Sequence, residues 1–354
     1  MTAKIRFVYV HEGAPMRYRV LHQAEQARLH GYQTEIVALE NRAHLYRLQG
    51  CDLLYLHRVP LTSRSLPLVL MARLRGIPLV FDSDDLVWDE NERSYNFLDK
   101  HYTPAQVDDI LLTNRRLRAM MRWVDAHVLS TAYLRDQAQR SFQKPAFVNW
   151  NALSDEQIAL GEAAYRQRRR DPSAVVIGYF CGTPHVHDED FASITPALEA
   201  VLRQHNQVRL RLYGELGLAE SLSTAFADRI ERYPAVAWEQ LSQHMAQIDI
   251  ALAPLIDNPQ RRSKSAVKYL EAALVRVATV ASDLEPYNAV IENGKTGCLA
   301  SDPASWQQAL DRLIQSSALR ERIAQAAYDQ LQQQHTNRVR AAQFGQILAQ
   351  LLRR

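Results

Sequence analysis

Cysteine, lysine and long apolar runs are all scarce in this chain of 354 residues. The three cysteines, Cys51, Cys181 and Cys298, form no CxxC pair and have no second cysteine at a metal-ligand spacing. That excludes a disulfide scaffold and a cysteine zinc site, and fits a reducing compartment. No window holds ~18 uncharged apolar residues, the length a membrane span needs; the best stretch, LPLVLMARLRGIPLVF, is cut by Arg73 and Arg75. The start, MTAKIRFVYVHEG, lacks the basic opening, apolar core and small-residue cleavage site of a secretory signal. Together these absences predict a soluble, cytoplasmic protein. Charge of one sign is also lacking: 42 basic against 39 acidic residues leave +3, so there is no global field for nucleic acid. Only six of the basic residues are lysines, so two of them four positions apart, Lys264 and Lys268, stand out. No GxSxG elbow, no GxGxxG after the first strand and no GxxxxGK loop is present, which leaves hydrolase, dehydrogenase and kinase chemistry without its minimum parts.

What is present is a rhythm of strand-like and helix-like blocks. KIRFVYV, an amphipathic run from Met16 to His30 and TEIVAL come first; DLLYLHR, Leu66–Arg75 and PLVFD follow. Strand, helix, strand at that spacing predicts parallel sheets with crossover helices. The charged stretch Leu153–Ser173 interrupts the pattern before AVVIGYF restarts it. A single core rarely grows beyond roughly 250–300 residues, so two domains are expected. We place them at 1–160 and 173–336, with a helix over 337–354 packing back on the first. Both are doubly wound α/β domains, whose ligands bind beyond the carboxyl ends of the strands.

The segment IDNPQRRSKSAVKYLEAALVRVATVAS follows the strand IDIALAPL. A helix from about Ser263 to Val275 sets Lys264, Lys268 and Glu271 at i, i+4 and i+7, on one face. A helix N-terminus with two ammonium groups suits a diphosphate, and a carboxylate about 10 Å further along suits a ribose diol. The competing reading is a solvated surface helix with a Lys268–Glu271 pair of a few tenths of a kcal/mol.

IDIALAPL, KSAVKYLEAALVRVATVAS and NAVIENGKTGCLASDPASW resemble, in order and spacing, the C-terminal domain of retaining GT-B glycosyltransferases of the large family 4 type. RYRVLHQAEQARLHGY, LLYLHR, FDSDDLVW and DAHVLSTAYL agree with its first domain, and IGYFCGTPHVHDEDF looks like the opening of the second in a bacterial subgroup. The resemblance implies two Rossmann-like domains facing a cleft. It implies sugar transfer, with retention, from a nucleotide-diphosphate sugar to a saccharide or lipid-linked acceptor in bacterial surface glycan or glycoconjugate assembly. It implies no metal and no cofactor beyond the sugar nucleotide. On this resemblance Glu271 holds the donor ribose and Lys264, supported by Lys268, the diphosphate, with Arg261 or Arg262 in reserve; Gly13, Gly182, Thr183, Tyr213 and Gly214 line the donor. Two departures stand out. The family's first motif glutamate falls on Ser263, and its Arg/Lys pair is missing, since CGTPHVHDED offers only His185 and His187.

In FDSDD the acids Asp82, Asp84 and Asp85 follow a strand. Three readings stay open: an acceptor site in which Asp84 or Asp85 works on a sugar hydroxyl while Asp82 and Trp88 bind the sugar, a helix cap, and an Asp-x-Asp metal site. His57 and His11 end strands and are further catalytic candidates. Arg17 and Arg19 open the first helix and would meet an anionic acceptor, or stay solvated. LLTNRRLRAMMRW would rest on anionic lipid or pack on its own sheet with Arg115, Arg116 and Arg118 in water. The rival to an enzyme is a degenerate subunit that binds a nucleotide sugar or a partner transferase without catalysis.

Overall fold

A computed structural model describes residues 2–353. The chain forms two compact units: one comprises residues up to Ser154, Asn258–Ser265 and the end of the chain from His335, the other Asp155–Asp257 and Ala266–Gln334.

The first unit holds β1 (Lys4–Tyr9), β2 (Gln33–Ala38), β3 (Leu53–His57), β4 (Leu79–Ser83), β5 (Ala126–Leu129) and β6 (Ala146–Val148), all parallel, in the order β2-β1-β3-β4-β5-β6. Its strands read as near-continuous apolar runs because helices cover both faces. Alternate residues serve each face: Phe7, Tyr55, Val80 and Val128 join one core, Val8, Leu54, Phe81 and Leu129 the other. The helix Asn337–Leu352 supplies Phe344, Ile347, Leu348 and Leu351 to the first of these cores. It lies so close to the helix His22–Leu29 that a Cβ on Gly345 would meet the His30 ring at 2.0 Å. The first-unit helix at Pro104–Trp123 starts where expected: Thr103 and Gln106 form a reciprocal capping box ahead of proline at the first turn.

The second unit repeats the plan with β7 (Val175–Phe180), β8 (Val208–Tyr213), β9 (Ile230–Tyr233), β10 (Ile250–Ala253), β11 (Ala278–Ser282) and β12 (Cys298–Ala300), in the order β12-β11-β10-β7-β8-β9. All pairings are parallel. The strand expected around Val236 lies earlier, at β9, paired with β8 in the register Tyr213↔Tyr233.

The segment 258–265 departs from expectation. Instead of one helix from Ser263, a short helix Pro259–Arg262 is capped by the Asn258 side chain on the Arg261 N–H, and a second helix starts at Val267. Ser263 Oγ donates back to the Gln260 carbonyl at 2.7 Å, and Ser265 Oγ accepts from Asn151 Nδ2 at 2.9 Å. Such local polar bonds compete with helix continuation. Lys264 therefore lies outside the helix that carries Lys268 and Glu271, and the stripe of three does not form.

Candidate functional site

In a doubly wound sheet the crevice opens where the strand order reverses. In the second unit the chain winds from β7 outward through β8 and β9, then restarts on the other side of β7 with β10. The reversal point thus lies between the carboxyl ends of β7 and β10. Lys268, in the second turn-forming position of the helix Val267–Leu274, reaches that end: its Nζ donates to the Phe180 carbonyl and sits 4.7 Å from the centre of the Tyr179 ring. Burial pushes its ammonium below the usual lysine range, against the opposite pull of Cys181, Glu271 and Asp190. A partly dehydrated cation of this kind gains most from an incoming anion. Glu271 is half-buried three residues on. Burial first, then the nearby Asp190 and Glu271 carboxylates, hold the buried Tyr287 hydroxyl well above its usual range.

The loop after β7 brings Gly182 and Thr183 to the same end, both exposed, and Cys181 Sγ donates to the Thr183 carbonyl at 3.1 Å. Gly214, after β8, has φ +88°, and a Cβ there would meet the Cys181 carbonyl oxygen at 2.1 Å. Its absent side chain lets the two loops touch. Tyr213 does not offer a ring face to a base: Phe180 stacks on it at 4.3 Å and Tyr233 at 5.0 Å. Its role is to wedge the strand ends, a correction to the donor contact expected of it.

In the first unit the reversal lies between β1 and β3. His11 and Gly13 (φ +122°) follow β1 and are exposed, and His57 ends β3. His57 is buried, with Nδ1 2.8 Å from Asp82 Oδ1. Asp82 is fully buried and accepts from Arg19 Nη2 at 2.6 Å, Tyr55 Oη at 2.8 Å and Gln23 Nε2 at 3.3 Å. Burial alone would raise its carboxyl, but the Arg19 charge and the His57 bond override it and hold it at about 2. Arg19 is equally buried and also donates to the Asn149 carbonyl and Asn151 Oδ1. It is carried there by a turn of π-helix at Arg17–Leu21 in which Tyr18, Arg19 and Val20 are all buried. Asp82, Arg19 and Trp88 are consequently interior groups. Trp88 is 2% exposed and packs on Phe142 at 6.3 Å, so it has no face for a sugar. The acceptor-binding role expected of these three does not fit their burial. Arg17 remains half-buried at the helix start.

Asp84 and Asp85 are clasped by Arg58 Nη2, 2.6 Å from each, and Asp85 also takes Lys264 Nζ at 2.6 Å. Arg58 adopts φ +48° in the loop after β3, which turns its guanidinium toward both acids. Burial opposes the Asp85 charge, but Lys264 and Arg58 drive its carboxyl far below the usual range. These acids are charge-compensated, and neither starts a helix. Among the described residues no three His, Cys, Asp or Glu side chains converge in a way that would hold a metal. Ser263, at the position of the family's first motif glutamate, is fully buried, and its Oγ lies 3.3 Å from the Leu86 N–H that donates to it. Arg261 is buried and donates to Asn96 Oδ1, a structural use.

Sequence reasoning missed the Arg58 clasp and the paired histidines after β7, His187 with Asp190 and His185 with Asp188. The i, i+3 spacing in HVHDED was the visible signal for the latter.

Comparison with known proteins adds to this geometry. Residues 195–346 match the glycosyl transferase-like family. No curated protein matches the chain. Among solved structures it is similar to Anabaena Alr3699/HepE, there in complex with UDP and glucose, at 15% identity over 98% of this chain and 100% of that one, with a TM-score of 0.61. It is similar to the sucrose-phosphate synthase of Thermosynechococcus elongatus at 12% identity over 99% and 100%, TM-score 0.68. A glycosyltransferase from Rickettsia africae matches at 10% identity over 99% of both chains, TM-score 0.66. At these identities the structural likeness speaks for fold. With two reversal-point sheets of this order the chain has GT-B architecture, and the stretch that matches the glycosyl transferase-like family contains Lys268 and Glu271.

Proposed function

We propose that the protein moves a sugar, with retention, from a nucleoside-diphosphate sugar to a saccharide or lipid-linked acceptor in the assembly of a bacterial surface glycan. The observation that carries this reading is Lys268, bonded to the Phe180 carbonyl at the end of β7, the strand that leads into Gly182 and Thr183, and one helical turn from Glu271. Phosphate oxygens meet the ammonium and the loop backbone, and the Glu271 carboxylate accepts from the ribose hydroxyls. As the sugar–phosphate bond breaks, charge grows on the leaving diphosphate. A cation fixed in a partly dehydrated site stabilises that charge more than the ground state, which is what lowers the barrier. The departing phosphate oxygen itself can take the acceptor's proton, so no separate protein base is required.

Solved structures of HepE hold UDP and UDP-glucose, which favours a uridine donor here. No described helix is long and apolar enough to cross a membrane. A lipid-linked acceptor would therefore be met at a surface.

Calorimetry with UDP-, GDP-, ADP- and dTDP-sugars, followed by donor hydrolysis and the anomeric configuration of the product by NMR, tests the reading. Binding with slow hydrolysis and a retained anomer is expected. The second reading, a non-catalytic subunit, is favoured by the buried Ser263 in the place of a glutamate. Binding with no hydrolysis and no transfer to any acceptor would select it.

A further inference from the structure

The strands of the second sheet all run one way, so their amino-terminal ends lie opposite the ends that Lys268 reaches. A cavity of about 650 Å³ opens there, lined by Val175 and Ala278, the first residues of β7 and β11, and by Asp249 just before β10. Its volume is that of a site for a small organic molecule. Four arginines share the lining: Arg168, Arg170, Arg276 and Arg320. The charged run ahead of β7 thereby divides, with Arg166 and Arg169 exposed and Arg168 and Arg170 half-buried in the cavity wall.

The protein fixes these guanidiniums ahead of any ligand. Tyr165 gathers two of them, Arg168 at 4.2 Å and Arg276 at 3.9 Å from the centre of its ring, and Arg276 also lies 3.6 Å from the centre of the Tyr328 ring. Arg276 Nη2 donates to Glu162 Oε1 at 3.0 Å, Arg170 Nε to the Ala246 carbonyl at 3.1 Å, and Arg320 Nη1 to the Leu313 and Ile314 carbonyls at 2.7 and 3.2 Å. Carboxylates cover only part of the charge. Arg276 has Glu162, and Arg170 Nη1 has Asp249 Oδ1 at 3.5 Å, a long pair, while the other Asp249 oxygen takes the Val176 N–H at 2.8 Å. Arg168 and Arg320 rest on a ring and on carbonyls. Asp171 and Glu321, the other acids of the lining, are exposed, where water screens them. Arg170 Nη2 is buried with no hydrogen-bond partner. Burial, against the Asp249 charge and together with the charges of Arg168 and Arg320, draws the Arg170 guanidinium down to about 10. Arg320 alone reads as a helix cap, since Leu313 and Ile314 close the helix Pro303–Gln315. That reading leaves Arg168 and Arg170 unexplained.

We infer that this cavity binds the phosphate monoester of a small organic molecule, with Arg168 and Arg170 as its phosphate ligands, at a place separate from the donor crevice. Two of the four cations lack a carboxylate, and a phosphate monoester brings about 1.5–2 negative charges at neutral pH where a carboxylate brings one. The planar fork of a guanidinium matches phosphate oxygens, and a fork already fixed loses little freedom on binding. The organic part of the ester takes the remaining volume. The site is independent of the donor reading.

Calorimetry on the full chain at constant ionic strength, with glycerol 3-phosphate and glucose 6-phosphate against inorganic phosphate, glycerol and glucose, tests it. At least one ester should bind roughly 10-fold or more tighter than inorganic phosphate, and the free alcohols should not bind measurably. Arg168→Ala and Arg170→Gln should each weaken that ester roughly 10- to 100-fold, the span of a hydrogen bond to a charged group, with the thermal midpoint and nucleoside-diphosphate affinity at the parent values. Should Arg170→Gln unfold, Arg168→Ala, whose side chain only covers a ring, decides. Failure of both esters to bind overturns the proposal, as does inorganic phosphate binding equally well. So does an ester affinity that survives the arginine substitutions and falls in Lys268→Met, which would put the ester in the donor crevice. If no nucleoside diphosphate binds, the donor reading fails while this site stands or falls on the esters alone.

Discussion

Asp82 is an anion placed in the interior, and its surroundings show the condition for that. Four side chains, Arg19, His57, Tyr55 and Gln23, donate to its two oxygens. Removing the carboxylate charge leaves Arg19 buried without its counter-charge, so Asp82→Asn should lose about 3–5 kcal/mol of stability in urea unfolding. Because the folded pKa lies near 2, below the ordinary 3.8, the unfolded chain takes up the proton first. The stabilisation is complete above about pH 4 and disappears as pH falls toward 2; the Asp82→Asn variant should show a flatter profile over that window. Trp88→Ala should likewise cost about 3–5 kcal/mol through the cavity it leaves, with acceptor affinity unchanged in whatever fraction stays folded. A loss of acceptor binding at full stability would return Trp88 to the site. Neither role was legible in FDSDDLVW. A strand end predicts that side chains reach a crevice, but the partner that internalises Asp82 lies 63 positions away and is swung inward by a π-turn no local pattern announces.

Among elements, the short helix Pro259–Arg262 decides most about the donor site. By ending before Ser263 it assigns Lys264 to the first unit and Asp85, and leaves Lys268 alone on the helix with Glu271. Lys268→Met should therefore weaken nucleoside-diphosphate binding by about 1.5–3 kcal/mol, whereas Lys264→Ala should change it less. Calorimetry that ranks the two in the opposite order would restore Lys264 as the phosphate ligand. The sequence showed both lysines and the glutamate at helical spacing; the break came from serine hydroxyls bonding backbone and Asn151, a tertiary contact that outweighs propensity. The strands, by contrast, were legible almost throughout, because burial on both faces demands unbroken apolar runs. The helix Pro104–Trp123 combines both cases. Its limits were readable from Thr103 and Pro104, yet its arginines divide: Arg115 and Arg116 are exposed, while Arg118 pairs with Glu90 and stands over the Phe142 ring. If this helix meets anionic lipid, flotation on phosphatidylserine vesicles at low salt should disappear in Arg115→Ala, Arg116→Ala with stability intact; no flotation of the parent protein dismisses the contact.

At the scale of the molecule the two units share one plan, and their buried histidines predict different responses to acid. Of the buried histidines in the first unit, burial holds His22, His127 and His335 below the ordinary histidine range. Burial lowers His22 to about 4 despite a bond to the Ala152 carbonyl, His335 to about 4, and His127 to about 3. The His127 ring has no hydrogen-bond partner and lies between Phe81 and Phe142. Above pH 6.5 each ring is neutral whether the unit is folded or not. As pH falls below that, the unfolded chain binds protons that the folded unit refuses, so stability drops by up to about 1.4 kcal/mol per pH unit for each ring, until the folded pKa is reached. In the second unit the buried His205 has its Nε2 2.9 Å from Asp311 Oδ1. Incubation at about pH 5 and at about pH 7.5, followed by hydrogen-exchange labelling at one common pH, should show β1–β6 losing protection in acid while β7–β12 keep theirs. His127→Phe, an aromatic ring without a titrating group in the same apolar setting, should remove part of the acid sensitivity of the first sheet. Equal loss from both sheets, or no effect of His127→Phe, would place the acid-labile groups elsewhere.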